Sequence, residues 1–142
     1  MKKVSNAYKV VIDTNVWISF LIGKSLAGLH KLIYHEKIAV ITCREQLLEL
    51  SEVLHRPKIK KRFPQNHINE FFSLLDEVAL LVEISTISSI CRDPKDDYLL
   101  SLSIESDANY LVTGDLDLLI IKKINNTEII NFSDFEKKMN LL

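Results

Sequence analysis

The chain has 142 residues, enough for one domain with a sizeable buried core. Hydrophobic residues make up 47% and charged residues 26%, ordinary for a soluble globular protein. A net charge of −1 excludes a polycation, so any contact with nucleic acid must come from a local basic patch.

In chain order, Lys9 to Asp13 reads as a first strand, a β-branched run (Val10-Val11-Ile12) driven straight into an aspartate. Asn15 to Ile22 reads as a short helix, with Trp17 packing it on the sheet. Gly23-Lys24-Ser25 breaks it, and Leu26 to His35 forms a second helix with Leu26, Leu29, Leu32 and Ile33 on one face. Ile38 to Ile41 is a second strand. Thr42-Cys43-Arg44-Glu45 matches a capping box and opens a helix to about His55, with Leu47, Leu50 and Leu54 inward. Glu45, Glu49, Glu52 and Arg56 share another face of it. Pro57 ends this helix, inside the basic stretch His55 to Arg62.

A further helix runs from Pro64 and Asn66 to about Leu80, and Leu81 to Ile84 is a strand. Asp93-Pro94-Lys95-Asp96 starts another helix, with Leu99, Leu102 and Ile104 inward. Tyr110 to Thr113 is a strand leading into Gly114-Asp115-Leu116-Asp117. Glu128 to Ile130 is a last strand, and Ser133-Asp134-Phe135-Glu136 is a second capping box opening a terminal helix. Strands and helices alternate throughout. The pattern implies βαβ units in one domain over residues 1–142. It reads as a three-layer α/β/α sandwich with a mostly parallel central sheet of four or five strands.

Two cysteines, Cys43 and Cys91, show no zinc spacing and no disulfide framework, and are expected as free thiols in a reducing compartment. Asp13 interrupts the only apolar run that could serve as a signal-peptide core, and no run approaches a membrane span. A cytoplasmic protein is expected.

Ligand sites of open α/β sheets lie beyond the carboxyl ends of the strands. Asp13, Glu49, Asp96, Asp115 and Asp117 all belong to elements that reach that edge. Each has a simpler explanation: Asp13, Asp115 and Asp117 as cap or turn residues, Asp96 as an acid at a helix start, Glu49 as a solvated glutamate. Together they are harder to dismiss, because clustered carboxylates repel and are tolerated mainly around a cation. Hard ions such as Mg²⁺ or Mn²⁺ take oxygen ligands of this kind and can drive phosphodiester hydrolysis without a protein nucleophile.

Two other motifs fail. Gly23-Lys24-Ser25 resembles the tail of a P-loop, but Ile18 stands where that loop needs its first glycine. Asp13-Thr14-Asn15 lacks the second aspartate of aspartyl-phosphate enzymes. His30, His35, His55 and His67 are scattered without metal-ligand spacing.

Val11-Ile12-Asp13-Thr14-Asn15, the mid-chain Glu49, Asp93 to Leu100, and Tyr110-Leu111-Val112-Thr113-Gly114-Asp115-Leu116-Asp117-Leu118-Leu119 together resemble a PIN-domain nuclease. The likeness is greatest to the stand-alone toxins of toxin–antitoxin pairs. It implies a Mg²⁺- or Mn²⁺-dependent endoribonuclease with catalytic acids at Asp13, Glu49, Asp96 and Asp115. Metal would be held by Asp13, Asp96 and Asp115 with Asp117 auxiliary, and Thr14, Asn15 and Thr113 would brace the site. Asp97 competes with Asp96 by one residue of register. The resemblance also implies a cognate antitoxin and a homodimer. Arg56 stands seven residues after Glu49, about 10 Å along the helix. An RNA backbone could therefore follow Arg56, Lys58, Lys60 and Lys61. Two rival readings remain: a Mg²⁺-dependent phosphatase or phosphotransfer domain with Asp13 as nucleophile, and a non-catalytic RNA-binding module.

Overall fold

The computed structural model describes residues 7–23, 26–85 and 94–140, of which 26–29 and 94–96 are described by backbone alone. In order the elements are β1 (Tyr8–Ile12), α1 (Thr14–Gly23), α2 (Leu26–Ile33), β2 (Ile38–Thr42), α3 (Arg44–Leu54), α4 (Pro57–Lys60) and α5 (Gln65–Val78). There follow β3 (Leu80–Leu81), α6 (Pro94–Glu105), β4 (Tyr110–Val112), α7 (Leu116–Leu119), β5 (Lys123–Ile124), β6 (Thr127–Ile130) and α8 (Phe132–Met139). The sheet order is β3-β2-β1-β4-β6-β5. The first five strands in that order run parallel, and only β5 is antiparallel, to β6.

Alternation along β1 sets the layers. Val10 and Ile12 point to one face, where they join Trp17 of α1, Leu50 of α3, Phe71 of α5 and Phe135 of α8. Val11 points to the other, against Leu99 and Leu102 of α6 and Leu118 of α7. Both faces of the central strands are covered, which is why β1 and β2 read as unbroken apolar runs. Trp17 is fully buried and its ring lies 5.5 Å from that of Phe71. Cys43 is buried and free. No helix among the described residues is long and apolar enough to cross a membrane.

The sheet has six strands, one more than the upper expectation. The added strand is β5, which folds back on β6 through Asn125, held at φ 50°, a left-handed conformation that asparagine tolerates. β3 is only two residues long rather than four, although Val82 N–H still reaches the Thr42 carbonyl. Neither capping box forms. Thr42 stays in β2, paired with Leu81, and its hydroxyl donates to Gln46 Oε1 at 2.7 Å; Cys43 precedes α3 without a side-chain cap. α8 starts one turn-fragment earlier than Ser133 because Asn131 caps it, accepting from Asp134 N–H at 2.8 Å.

The chain builds β1, β2 and β3 outward in one direction, then crosses to β4 on the opposite side of β1. The strand order thus reverses between β1 and β4. A crevice opens at their carboxyl ends, as such switch points require.

Candidate active site

Asp13 follows β1 directly and sits in that crevice. Its N–H donates to the Val112 carbonyl (2.9 Å), which ties it to β4. Its own carbonyl accepts from Val16 and Trp17, so Asp13 also stands at the start of α1. The cap reading and the site reading are therefore compatible. The carboxylate accepts Asn15 N–H on Oδ1 at 3.1 Å and the Thr113 hydroxyl on Oδ2 at 2.7 Å. Asp13 is only 5% exposed.

Thr113 joins two acids. Its hydroxyl donates to Asp13 and accepts Asp115 N–H at 3.0 Å. Asp115 caps α7, its Oδ1 accepting Asp117 N–H at 2.8 Å. The turn after β4 is thereby locked against the end of β1.

Glu49 reaches the same region from α3. The Tyr98 hydroxyl donates to Glu49 Oε1 at 2.6 Å. A phenol has one proton, so the 3.1 Å contact between Tyr98 and Thr14 must have the Thr14 hydroxyl as donor. This chain ties α1, α3 and α6 together below the carboxylates. Gln46, one turn before Glu49, donates to the Ile12 carbonyl and fixes α3 against β1.

The electrostatics agree with the geometry. Burial pushes the Asp13 carboxyl above its ordinary value, and the nearby charges of Glu49 and Asp115 push the same way. The hydrogen bonds from Thr113 and Asn15 oppose them. Burial and the Glu49 carboxylate drive the Tyr98 hydroxyl well above the usual phenol range, so it remains a donor. No lysine, arginine or histidine among the described residues forms an ion pair with Asp13, Glu49 or Asp115.

An open cleft of about 540 Å³ lies beside Asp13, Thr113 and Asp115, bounded on its far side by α1 and the start of α8. A separate shallow groove holds Glu49, Tyr98, Glu52 and Arg56.

The structure brings Asp115 and Glu49 each within electrostatic reach of Asp13. Asp117 is exposed in the first turn of α7 and does not line the cleft. Asp96 lies in the first turn of α6, and its side chain falls outside the described residues. Asp97 is buried and has an interaction partner. Arg56, Lys58, Lys60 and Lys61 are all exposed, with Arg56 paired to Glu52 at 3.2 Å. Of the bracing residues, Asn15 and Thr113 bond Asp13 itself, whereas Thr14 acts through Tyr98. Among the described residues no three acidic, histidine or cysteine side chains gather tightly enough to hold a metal by themselves. The donors present, all carboxylate oxygens with no protein cation against them, nonetheless suit a hard divalent ion.

Sequence reasoning missed Tyr98 and Gln46. The available signal for Tyr98 was a phenol inside an otherwise apolar helical run, which must find a partner when buried.

A model of the PIN domain matches residues 9–117 of this chain. The uncharacterized protein MJ1680 of Methanocaldococcus jannaschii is 34% identical over 130 residues, covering 85% of this chain and 83% of that protein. The solved structure of the PIN domain endonuclease Utp24 shares the fold, with a TM-score of 0.53, covering 89% of this chain and 86% of that one at 18% identity. PIN domains are generally nucleases and typically use divalent metal ions. With the match running from β1 through β4 and taking in the switch point and the acids at its edge, this chain belongs to the PIN-domain family.

Proposed function

We propose that the protein is a metal-dependent endoribonuclease and acts as the toxin of a toxin–antitoxin pair. The observation that carries the nuclease reading is the Asp13–Thr113–Asp115 linkage at the switch point, with Glu49 close enough to raise Asp13. Asp13, Asp96 and Asp115, with Asp117 beside them, would hold Mg²⁺ or Mn²⁺. Such an ion, when bound, activates water and stabilises charge on the phosphodiester oxygens.

The chain's own residues prepare that chemistry. Thr113 and Asn15 donate to the Asp13 carboxylate and favour its ionised form, partly offsetting the penalty of burial. Tyr98 holds Glu49 Oε1, which leaves Oε2 to orient the attacking water and accept its proton. In-line attack of that water would form a P–O bond as the P–O3′ bond breaks, and the leaving 3′-oxygen would take a proton from solvent, giving a 3′-hydroxyl and a 5′-phosphate. Arg56, Lys58, Lys60 and Lys61 guide the phosphate backbone, with Arg56 bordering the groove that contains Glu49 and Tyr98.

A cognate antitoxin would cover the cleft and place an arginine among the carboxylates, which lack a protein cation among the described residues. The protein is proposed to act in the cytoplasm as a homodimer. A phosphotransfer role for Asp13 is disfavoured, since it would need neither Glu49 nor the Asp115 linkage through Thr113. The test is RNA cleavage by wild type and Asp13→Asn with Mg²⁺, with Mn²⁺ and with excess chelator. Cleavage is expected only in wild type with metal. Full activity in the variant, or in chelator, refutes the reading.

A further inference from the structure

The cleft beside Asp13 extends well past the carboxylates. Its far wall is Val16 and Phe20 of α1 with Phe132 of α8, and its polar groups include Ser19 and Asn131. The Phe20 and Phe132 rings meet edge to face, 5.7 Å between centroids at 68°. At about 540 Å³ the space falls within the roughly 300–1,000 Å³ typical of small-molecule sites. Phosphate chemistry alone needs only the acidic end. An apolar aromatic wall beside the acidic end suits an occupant that is flat, apolar on its faces and polar at its edge.

Asn131 gives that occupant a direction. Its Oδ1 accepts Asp134 N–H at 2.8 Å, which orients the amide and leaves the Nδ2 hydrogens to a ligand.

We propose that this cleft is a base subsite: it receives one unpaired nucleobase adjoining the cleaved phosphate. The ring packs on Phe20 and Phe132, and Asn131 Nδ2 donates to an acceptor on the base edge. Specific RNA recognition commonly uses splayed single-stranded bases stacked on aromatic rings and bonded at their edges. Phe132 and Asn131 would then set which nucleotide is preferred beside the scissile bond. This inference rests on the endoribonuclease reading above.

The test needs no turnover. The intact protein with Mg²⁺ is titrated with ribose 5-phosphate and with the four nucleoside 5′-monophosphates, binding being followed by NMR. At least one nucleotide should bind about fivefold or more tightly than ribose 5-phosphate, the low end of what stacking one base on an aromatic supplies. Phe132→Leu should narrow that ratio to below twofold. Asn131→Ser, which keeps a good helix cap, should change the ranking of the four bases. Thermal melting of both variants checks that they remain folded. Equal affinity for ribose 5-phosphate and all four nucleotides overturns the proposal, as does failure of any nucleotide to bind, the outcome expected if the cleft serves a protein partner instead. Base-dependent binding without cleavage of any RNA would leave the subsite standing and refute the nuclease reading. Cleavage without base-dependent binding would do the reverse.

Discussion

Thr113→Val removes one hydroxyl and keeps the shape. Thr113 is fully buried, so water cannot replace what is lost. Two bonds disappear: the 2.7 Å bond to the Asp13 carboxylate and the 3.0 Å bond from Asp115 N–H. A hydrogen bond to a charged group contributes about 1.5–3 kcal/mol and a neutral one about 0.5–1.5 kcal/mol. The variant should therefore lose roughly 2–4.5 kcal/mol at neutral pH. With an unfolding entropy of about 2.1 cal/mol/K per residue, 1 kcal/mol corresponds to about 3 °C for 142 residues. The Tm should thus fall by roughly 7–15 °C. The deficit should shrink in acid, because a protonated Asp13 no longer depends on the hydroxyl. Melting curves of wild type, Thr113→Val and Thr113→Ser across pH 8 to 4, in chelator, provide the assay. Thr113→Ser retains the hydroxyl and should fall between the two. A Thr113→Val melting temperature within about 2 °C of wild type at neutral pH would refute the bridge as an organising element. A deficit independent of pH would refute its link to Asp13 ionisation.

Other consequences follow from the same geometry. The folded Asp13 pKa is raised above 3.8, so the metal-free fold binds the extra proton and loses stability as pH rises through that window, a loss that Asp13→Asn should not show; denaturant titrations at pH 4 and 7.5 should show wild type losing more stability than the variant between the two, and an equal or smaller loss in wild type would contradict the sign. Tyr98→Phe should lower kcat about 10-fold with little change in KM, since it frees Glu49 Oε1 without touching the RNA track, and cost about 1–2 kcal/mol of stability; a change confined to KM would argue against it. Neutralising Lys58, Lys60 and Lys61 together should weaken RNA binding uniformly across sequences and lower the slope of log affinity against log salt by about 2. An unchanged slope in fluorescence titrations would remove these lysines from the track.

The legible parts of the fold are those where local chemistry and tertiary setting agree. Val10-Val11-Ile12 reads as a buried strand because both its faces are covered, and the aspartate after it has to stand at the sheet edge. Asp115 is legible for the same reason, one turn beyond the apolar β4. The two-residue strands β3 and β5 are too short to show alternation. The misplaced helix starts have a common cause. Thr42 and Ser133 are both good caps in isolation, but β2 keeps Thr42 in register with Leu81, and the end of β6 puts Asn131 in the capping position first. Tyr98 escaped notice because its partners are 49 and 84 residues away. The choice between Asp96 and Asp97 turns on about 100° of rotation around one helix, finer than apolar spacing resolves along a helix whose residues 97–103 are all buried.

The central claim is that the carboxylates beside β1 and β4 form a cation site. Titration of the metal-free protein with Mn²⁺, followed by electron paramagnetic resonance, tests it most directly. The account predicts saturable binding that weakens as pH falls and Asp13 takes up its proton. It further predicts that binding is lost in both Asp13→Asn and Asp115→Asn while each variant still melts cooperatively. Mn²⁺ binding unchanged by either substitution, or no binding to the folded wild type, would contradict it.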